Sequence, residues 1–225
     1  MEPVADHAPA APQGIYGTIV HPLERGEVWL QDTEVAYLSG QVGLGGGWDV
    51  TTSAFVTPNP LGFGAALGYS RALGSSVVVR AMAGGMGGVF LAWGDPAGPI
   101  GMVGASAAVG PRERHVALTG RVVVSWDGLA SILTAVDGAW MFGPHLGVLA
   151  GVVDIFSLES LDDPGSHLFL AGPALRLRSG RFSADLGAHA MFGPRVGFVS
   201  DCATEPCWGW IPAPVLSVRY GFPGR

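Results

Sequence analysis

Asp185 and His189 are the first pair to weigh as chemistry, a carboxylate and an imidazole four positions apart in RFSADLGAHAMF, residues 181–192. The segment alternates. Phe182, Ala184, Leu186, Ala188, Ala190 and Phe192 form one row, and Ser183, Asp185, Gly187, His189 and Met191 form the other, which is the period of a strand. Four positions along a strand separate two side chains by ~13 Å, so the pair lies on one face without forming a dyad. The remaining histidines are scattered over turns and loops, and no G-x-S-x-G motif occurs. Gly84-Gly85 and Gly87-Gly88 lack the strand-to-helix setting of a nucleotide fingerprint. The sequence therefore points away from an enzyme, and no catalytic residue or cofactor is assigned. Cys202 and Cys207 are five apart in a segment rich in Pro and Gly, a spacing that suits a local disulfide in an oxidising compartment. With only Asp201 and Glu205 beside them, a metal site is not indicated.

A different chemistry emerges when the charged residues are sorted by strand face. Arg80, Arg121, Arg176 and Arg219 each fall on the polar row of an alternating segment, as Asp185 and His189 do, with Gly, Ala and Ser between them. One reading is a polar network that pairs these groups inside a closed sheet. The other is a cationic constriction favouring anionic solutes.

The elements that would position them are strands almost throughout. Charged residues make up 13% of the chain, about half the usual share in soluble domains. The uncharged stretches are threaded with Gly, Ser, Thr and Pro and make poor transmembrane helices. Strand patterns mark segments 39–44, 49–56, 62–73, 76–84, 100–109, 116–126, 129–142, 146–156, 167–177, 181–192 and 213–222, although 129–142 and 146–156 are apolar on both faces for several residues, as in a buried sheet. Residues 26–38 are muddled but supply one more strand by parity, since closure with both ends on one side needs an even number. Pro173 is expected at a bulge, and 85–99 and 193–212 read as loops. The expectation is an all-β, antiparallel up-and-down transmembrane β-barrel of 12 strands, with ten as second choice. Residues 1–25 form an N-terminal extension or plug, 26–222 the barrel and 223–225 a tail.

Turns near Gly46, Gly74, Pro111, Pro144 and Gly180 are short, while connections near Pro58, Trp93, Asp127, Asp162 and Cys202 are mostly longer and more acidic. That alternation, together with the closing strand VLSVRYGF (residues 215–222), resembles the small outer-membrane β-barrel proteins of Gram-negative bacteria; here Pro223-Gly224-Arg225 follows the terminal aromatic. The resemblance implies an outer-membrane location, with a signal peptide removed before this numbering begins. It implies Trp126, Phe182, Phe192, Tyr220 and Phe222 as interface aromatics. Function is then a narrow pore, or a structural component that meets another envelope protein through its outer loops. The alternatives are a soluble β-sandwich or lipocalin-like small-molecule binder and a membrane-embedded lipid-modifying enzyme. The net charge of -6 argues against nucleic acid as a partner.

Overall fold

The computed structural model describes residues 20–33, 37–56, 61–89, 99–125, 130–158, 167–194 and 208–224. Twelve strands follow one another: β1 (Val28–Thr33), β2 (Tyr37–Gly45), β3 (Trp48–Val56), β4 (Leu61–Ala72), β5 (Val77–Val89) and β6 (Ile100–Val109). The second half adds β7 (Arg114–Ser125), β8 (Ala130–Met141), β9 (Leu146–Ser157), β10 (His167–Ser179), β11 (Phe182–Pro194) and β12 (Trp208–Phe222). Each strand pairs antiparallel with its sequence neighbours, and β1 closes the sheet on β12 from Val28↔Phe222 to Thr33↔Ser217. A single sheet closed on itself excludes a sandwich, and twelve strands is the first-choice count.

The muddled stretch at 26–38 resolves into all of β1 and the start of β2. Its pattern is short because β1 has only six residues before the chain reverses. Segment 85–89, expected as loop, continues β5, where Gly85 and Gly87 pair with Gly101 and Phe63. Trp208–Pro212, also expected as loop, begins β12 despite two prolines in the strand. The expected bulge at Pro173 is absent: Gly172 and Pro173 keep register with β9, and the pairing with β11 resumes unshifted at Ala174↔Gly187. The register shift falls instead between Gly43 and Gly45, at the β2–β3 hairpin. There Gly45, Gly46 and Gly47 all take positive φ (90°, 63° and 88°), which side-chain-bearing residues resist.

The two side-chain rows divide the molecule. One row points out and is apolar: Phe63 and Leu186 are 69% and 63% exposed, and exposed large apolar side chains occur on every strand but β5, from Leu30 to Phe222. A belt of that extent is stable only against hydrocarbon. Its edges are aromatic. Trp48, Trp140, Phe182, Tyr220 and Phe222 lie exposed near the short-turn end, and Phe63 and Phe192 toward the other. Four of the five expected interface aromatics thus lie on the outward row; Trp126 lies outside the described residues. Among the described residues no helix is long and apolar enough to cross a membrane, so any crossing is made by strands. The other row points into the lumen and contains the buried polar groups.

Candidate functional site

All six residues singled out from the sequence for the lumen, Arg80, Arg121, Arg176, Asp185, His189 and Arg219, lie on inward rows, but at two heights. Arg80 is the fourth residue of β5, Asp185 the fourth of β11, and Arg176 and Arg219 are each fourth from the end of β10 and β12. All four sit near the short-turn end. Arg121 and His189 each lie eight residues into their strands, in the long-loop half.

The low layer is tightly paired. Asp185 accepts from Arg176 Nε at 2.7 Å and Arg176 Nη2 at 3.0 Å, and its second oxygen also accepts from Arg219 Nη1. Neighbouring strands bring these three side chains together: Arg176 and Asp185 face each other in register, and Arg219 stands diagonally on β12. Around the wall, Asp49 accepts from Arg80 through both of its oxygens, with Arg80 Nη2 at 2.7 Å, and from Gln41 Nε2 at 2.9 Å. Arg80 also donates to Ser70 Oγ at 3.3 Å. These ions are almost fully buried, with Arg219 and Asp185 side chains both 1% exposed. Burial of charge is tolerable only where partners surround it. Asp137 on β8 adds a further negative charge that acts on Arg219.

Glycine makes room for the guanidinium of Arg80. A Cβ on Gly68 would fall on it, so only the bare backbone lets that side chain lie flat against the wall. Gly104 stands across from Arg121, and its Cβ would come within 2.8 Å of the Arg121 Cγ.

Below the layer the chain itself enters the mouth. Val20 is buried with Val78, Ala108 and Ala117, all inward residues of β5–β7. The His21 ring meets His115 edge-on at 5.2 Å, and Leu23 packs with Trp29. Glu27 clamps this segment. It accepts from Trp29 Nε1 at 2.8 Å, from the Glu24 N–H at 2.8 Å and from Arg112 Nη1 at 2.8 Å, while Arg112 Nη2 donates to the Pro22 carbonyl. Burial, followed by the charges of His115 and Arg112, pushes His21 from its ordinary 6.5 down to about 4. Burial opposes ionisation of Glu27, but the hydrogen bonds from Arg112 and Trp29 outweigh it and hold the carboxyl below its usual range. Residues 1–19 of the expected extension lie outside the described residues.

The upper half differs in content. Beyond Arg121 and His189 its inward rows carry mainly Gly, Ala, Ser, Met and aliphatic residues. Counted along the strands, the inward rows carry Arg80, Arg121, Arg176, Arg178 and Arg219 against Asp49, Asp137 and Asp185. The lumen wall is therefore cationic although the chain is acidic.

Asp49, Gln41, Glu27 and Asp137 were missed as partners. Asp49 and Gln41 carried a signal, since both fall on the inward rows of alternating segments; Asp49 also borders the Gly-rich turn and reads there as a turn residue. Outside the barrel, Asp154 meets His167 Nδ1 at 3.2 Å, and the His167 ring is stacked with Phe156 and Phe169 at 5.0 and 5.8 Å. Among the described residues no group of three metal-ligating side chains occurs. Cys202 and Cys207 lie outside the described residues.

No protein-family model and no curated protein matches the sequence. Solved structures do match. A NanC porin structure superposes with a TM-score of 0.53 at 8% identity, over 88% of this chain and 98% of that one. The outer membrane channel DcaP of Acinetobacter baumannii gives 0.42 at 13% identity, over 82% and 62%. LpxR from Salmonella typhimurium gives 0.44 at 10% identity, over 89% and 90%. At such identities the likeness to the porin is one of fold alone, a closed antiparallel β-barrel.

Proposed function

We propose that the protein is a narrow, anion-preferring pore of the bacterial outer membrane, and not an enzyme. The observation that carries this reading is the arginine excess on the lumen wall, five arginines to three aspartates along the inward rows. An anion in a low-dielectric passage gains from fixed positive charge without competing with bulk water. Arg121 is the residue best placed to act on a solute, because it stands in the half of the lumen that the buried ion pairs do not fill. The layer of Arg80, Arg176, Asp185 and Arg219 forms the narrow section beneath it, and residues 20–27 stand at its exit. The apolar belt, its aromatic edges and the shared fold support the outer membrane as the location and lipid as the surrounding partner.

A second reading has its own observation. The lower layer and the N-terminal segment fill the short-turn end with side chains that satisfy one another, which suits a barrel that is a structural component and meets another envelope protein through its outer loops. Conductance in planar bilayers separates the two. The pore reading expects small, stable current steps and a reversal potential on the anion side under a salt gradient, and folded protein that gives no current steps overturns it.

A further inference from the structure

The barrel wall is not of even height. At the short-turn end β1 and β12 finish together at Val28↔Phe222, but at the other end β1 stops at Thr33↔Ser217. β12 continues for nine more residues, Trp208 to Leu216, paired with β11 as far as Pro194↔Trp208 and, among the described residues, with no strand on its β1 side. A strand crossing the hydrocarbon needs about 9–11 residues at the usual tilt; β1 has six. Among the described residues the strand ends therefore drop from β12 to β1 and climb again through β2, β3 and β4. Pro212 and Pro214 stand on the bared stretch of β12. The ladder to β11 runs through both of them, so their missing N–H groups belong to the open edge, where they block the addition of another strand.

On the outer wall below this notch is a groove of about 530 Å3, within the usual range for small-molecule sites. Leu30, Leu38, Phe63, Val218 and Tyr220 form its sides, and the small residues Gly40 and Ala54 leave its floor open. Asp32 lies in its lining. The Asp32 Oδ1 is shielded from solvent and has no hydrogen-bond partner among the described residues. A carboxylate on the membrane-facing wall is costly unless a donor meets it.

We propose that this notch and groove form a binding site for an amphiphile of the surrounding bilayer that bears an ammonium group. Its hydrocarbon chain lies in the groove over Gly40 and Ala54, and its ammonium donates to Asp32. The bilayer supplies such molecules directly to this wall, and the apolar sides match a chain. An opposite charge compensates a carboxylate in low dielectric better than a neutral donor does. The lowered rim keeps the polar end of the amphiphile close to water while its chain stays in the membrane. The site rests on the outer wall facing lipid and is independent of whether the lumen conducts.

The test is native mass spectrometry of the barrel released from micelles containing equimolar phosphatidylethanolamine and phosphatidylglycerol with the same acyl chains. Folding is checked first by the shift in gel migration on boiling. The wild type is expected to retain one phosphatidylethanolamine at least fivefold over phosphatidylglycerol. Asp32→Asn should keep a lipid but lose that preference. Ala54→Trp, or Gly40→Leu should the tryptophan variant fail to fold, should lose both lipids, whereas Ala107→Trp on the outward row of β6 should retain them as the wild type does. Equal retention of the two lipids by the wild type, retention of neither, an unchanged preference in Asp32→Asn, or groove-filled variants that bind as the wild type does would each overturn the proposal.

Discussion

The lower and upper halves of the lumen are built from the same strands and the same alternation, yet they are filled in opposite ways. Near the short turns, inward arginines meet inward aspartates, Arg176 and Arg219 on the strands beside Asp185 and Arg80 across β4 from Asp49, and the N-terminal segment packs beneath them. Toward the long loops, the inward rows carry small and apolar residues, with Arg121 and His189 set among them. The difference separates two tasks under the proposed pore reading: paired charge holds the lower ring together, while sparse charge above leaves a surface for an ion to meet. Perturbing the lower half should therefore cost stability, and perturbing the upper half should change selectivity.

The largest effect is expected at Asp185. Asp185→Ala leaves Arg176 and Arg219 buried side by side without their shared carboxylate, a situation that costs about 3–5 kcal/mol when a buried pair is broken from one side. The denaturant midpoint of the gel-migration shift on boiling should fall accordingly. Asp185→Glu, which keeps the charge, should recover part of the loss. Gly68→Val follows. Its side chain would occupy the space of the Arg80 guanidinium, separating it from Asp49, with an expected cost of about 2–3 kcal/mol from overpacking and a broken charged hydrogen bond. Arg80→Met in the same background should leave little further to lose, which a double-mutant cycle would show as strong coupling.

The balance between what the sequence conceals and what it displays follows from the same division. Alternation shows which face a residue takes, because the period of two is enforced at every position of a half-apolar sheet, and so Arg80, Arg121, Arg176, Asp185, His189 and Arg219 were all legible as inward. Register is not written in any one strand. That Arg176 faces Asp185 depends on where the Ser179-to-Phe182 turn closes, and that Asp49 meets Arg80 depends on two successive hairpins. Trp208–Pro212 was unreadable as strand because proline forbids a central position, and only the stopping of β1 at Thr33 turns that side of β12 into an edge. Segment 85–89 hid its pairing behind glycines, which carry no side chain and hence no pattern.

Acid should open the lower half. His21 in the seated segment sits at about 4, against about 6.5 when exposed. The released segment therefore binds the extra proton, and seating weakens progressively as pH falls from 6.5 toward 4. Glu27, held below the ordinary carboxylate range by Arg112, supports seating at neutral pH and loses that support as acid protonates it, so both groups act in one direction. Conductance, or protease cleavage after Arg25, should rise several-fold between pH 7 and pH 4.5. His21→Gln should flatten the upper part of that rise, and Arg112→Ala should show the open behaviour already at pH 7. A pH-independent signal would mean that residues 20–27 do not control the exit.

The smallest effect on stability and the clearest on selectivity are expected from Arg121. Arg121 lies eight residues into β7, in the long-loop half and away from the strand level of Asp185 and Asp49, so Arg121→Ala should cost less stability than Asp185→Ala does. Removing one of two positive charges in the net balance of the wall should nevertheless move the reversal potential toward zero, and Arg121→Glu should carry it to the cation side. The control is Arg178, which shares the inward row but lies at the short-turn mouth: Arg178→Ala should leave the reversal potential nearer the wild type than Arg121→Ala does. Should the two substitutions act alike, net lumen charge alone would set selectivity, and the upper half would lose its separate role.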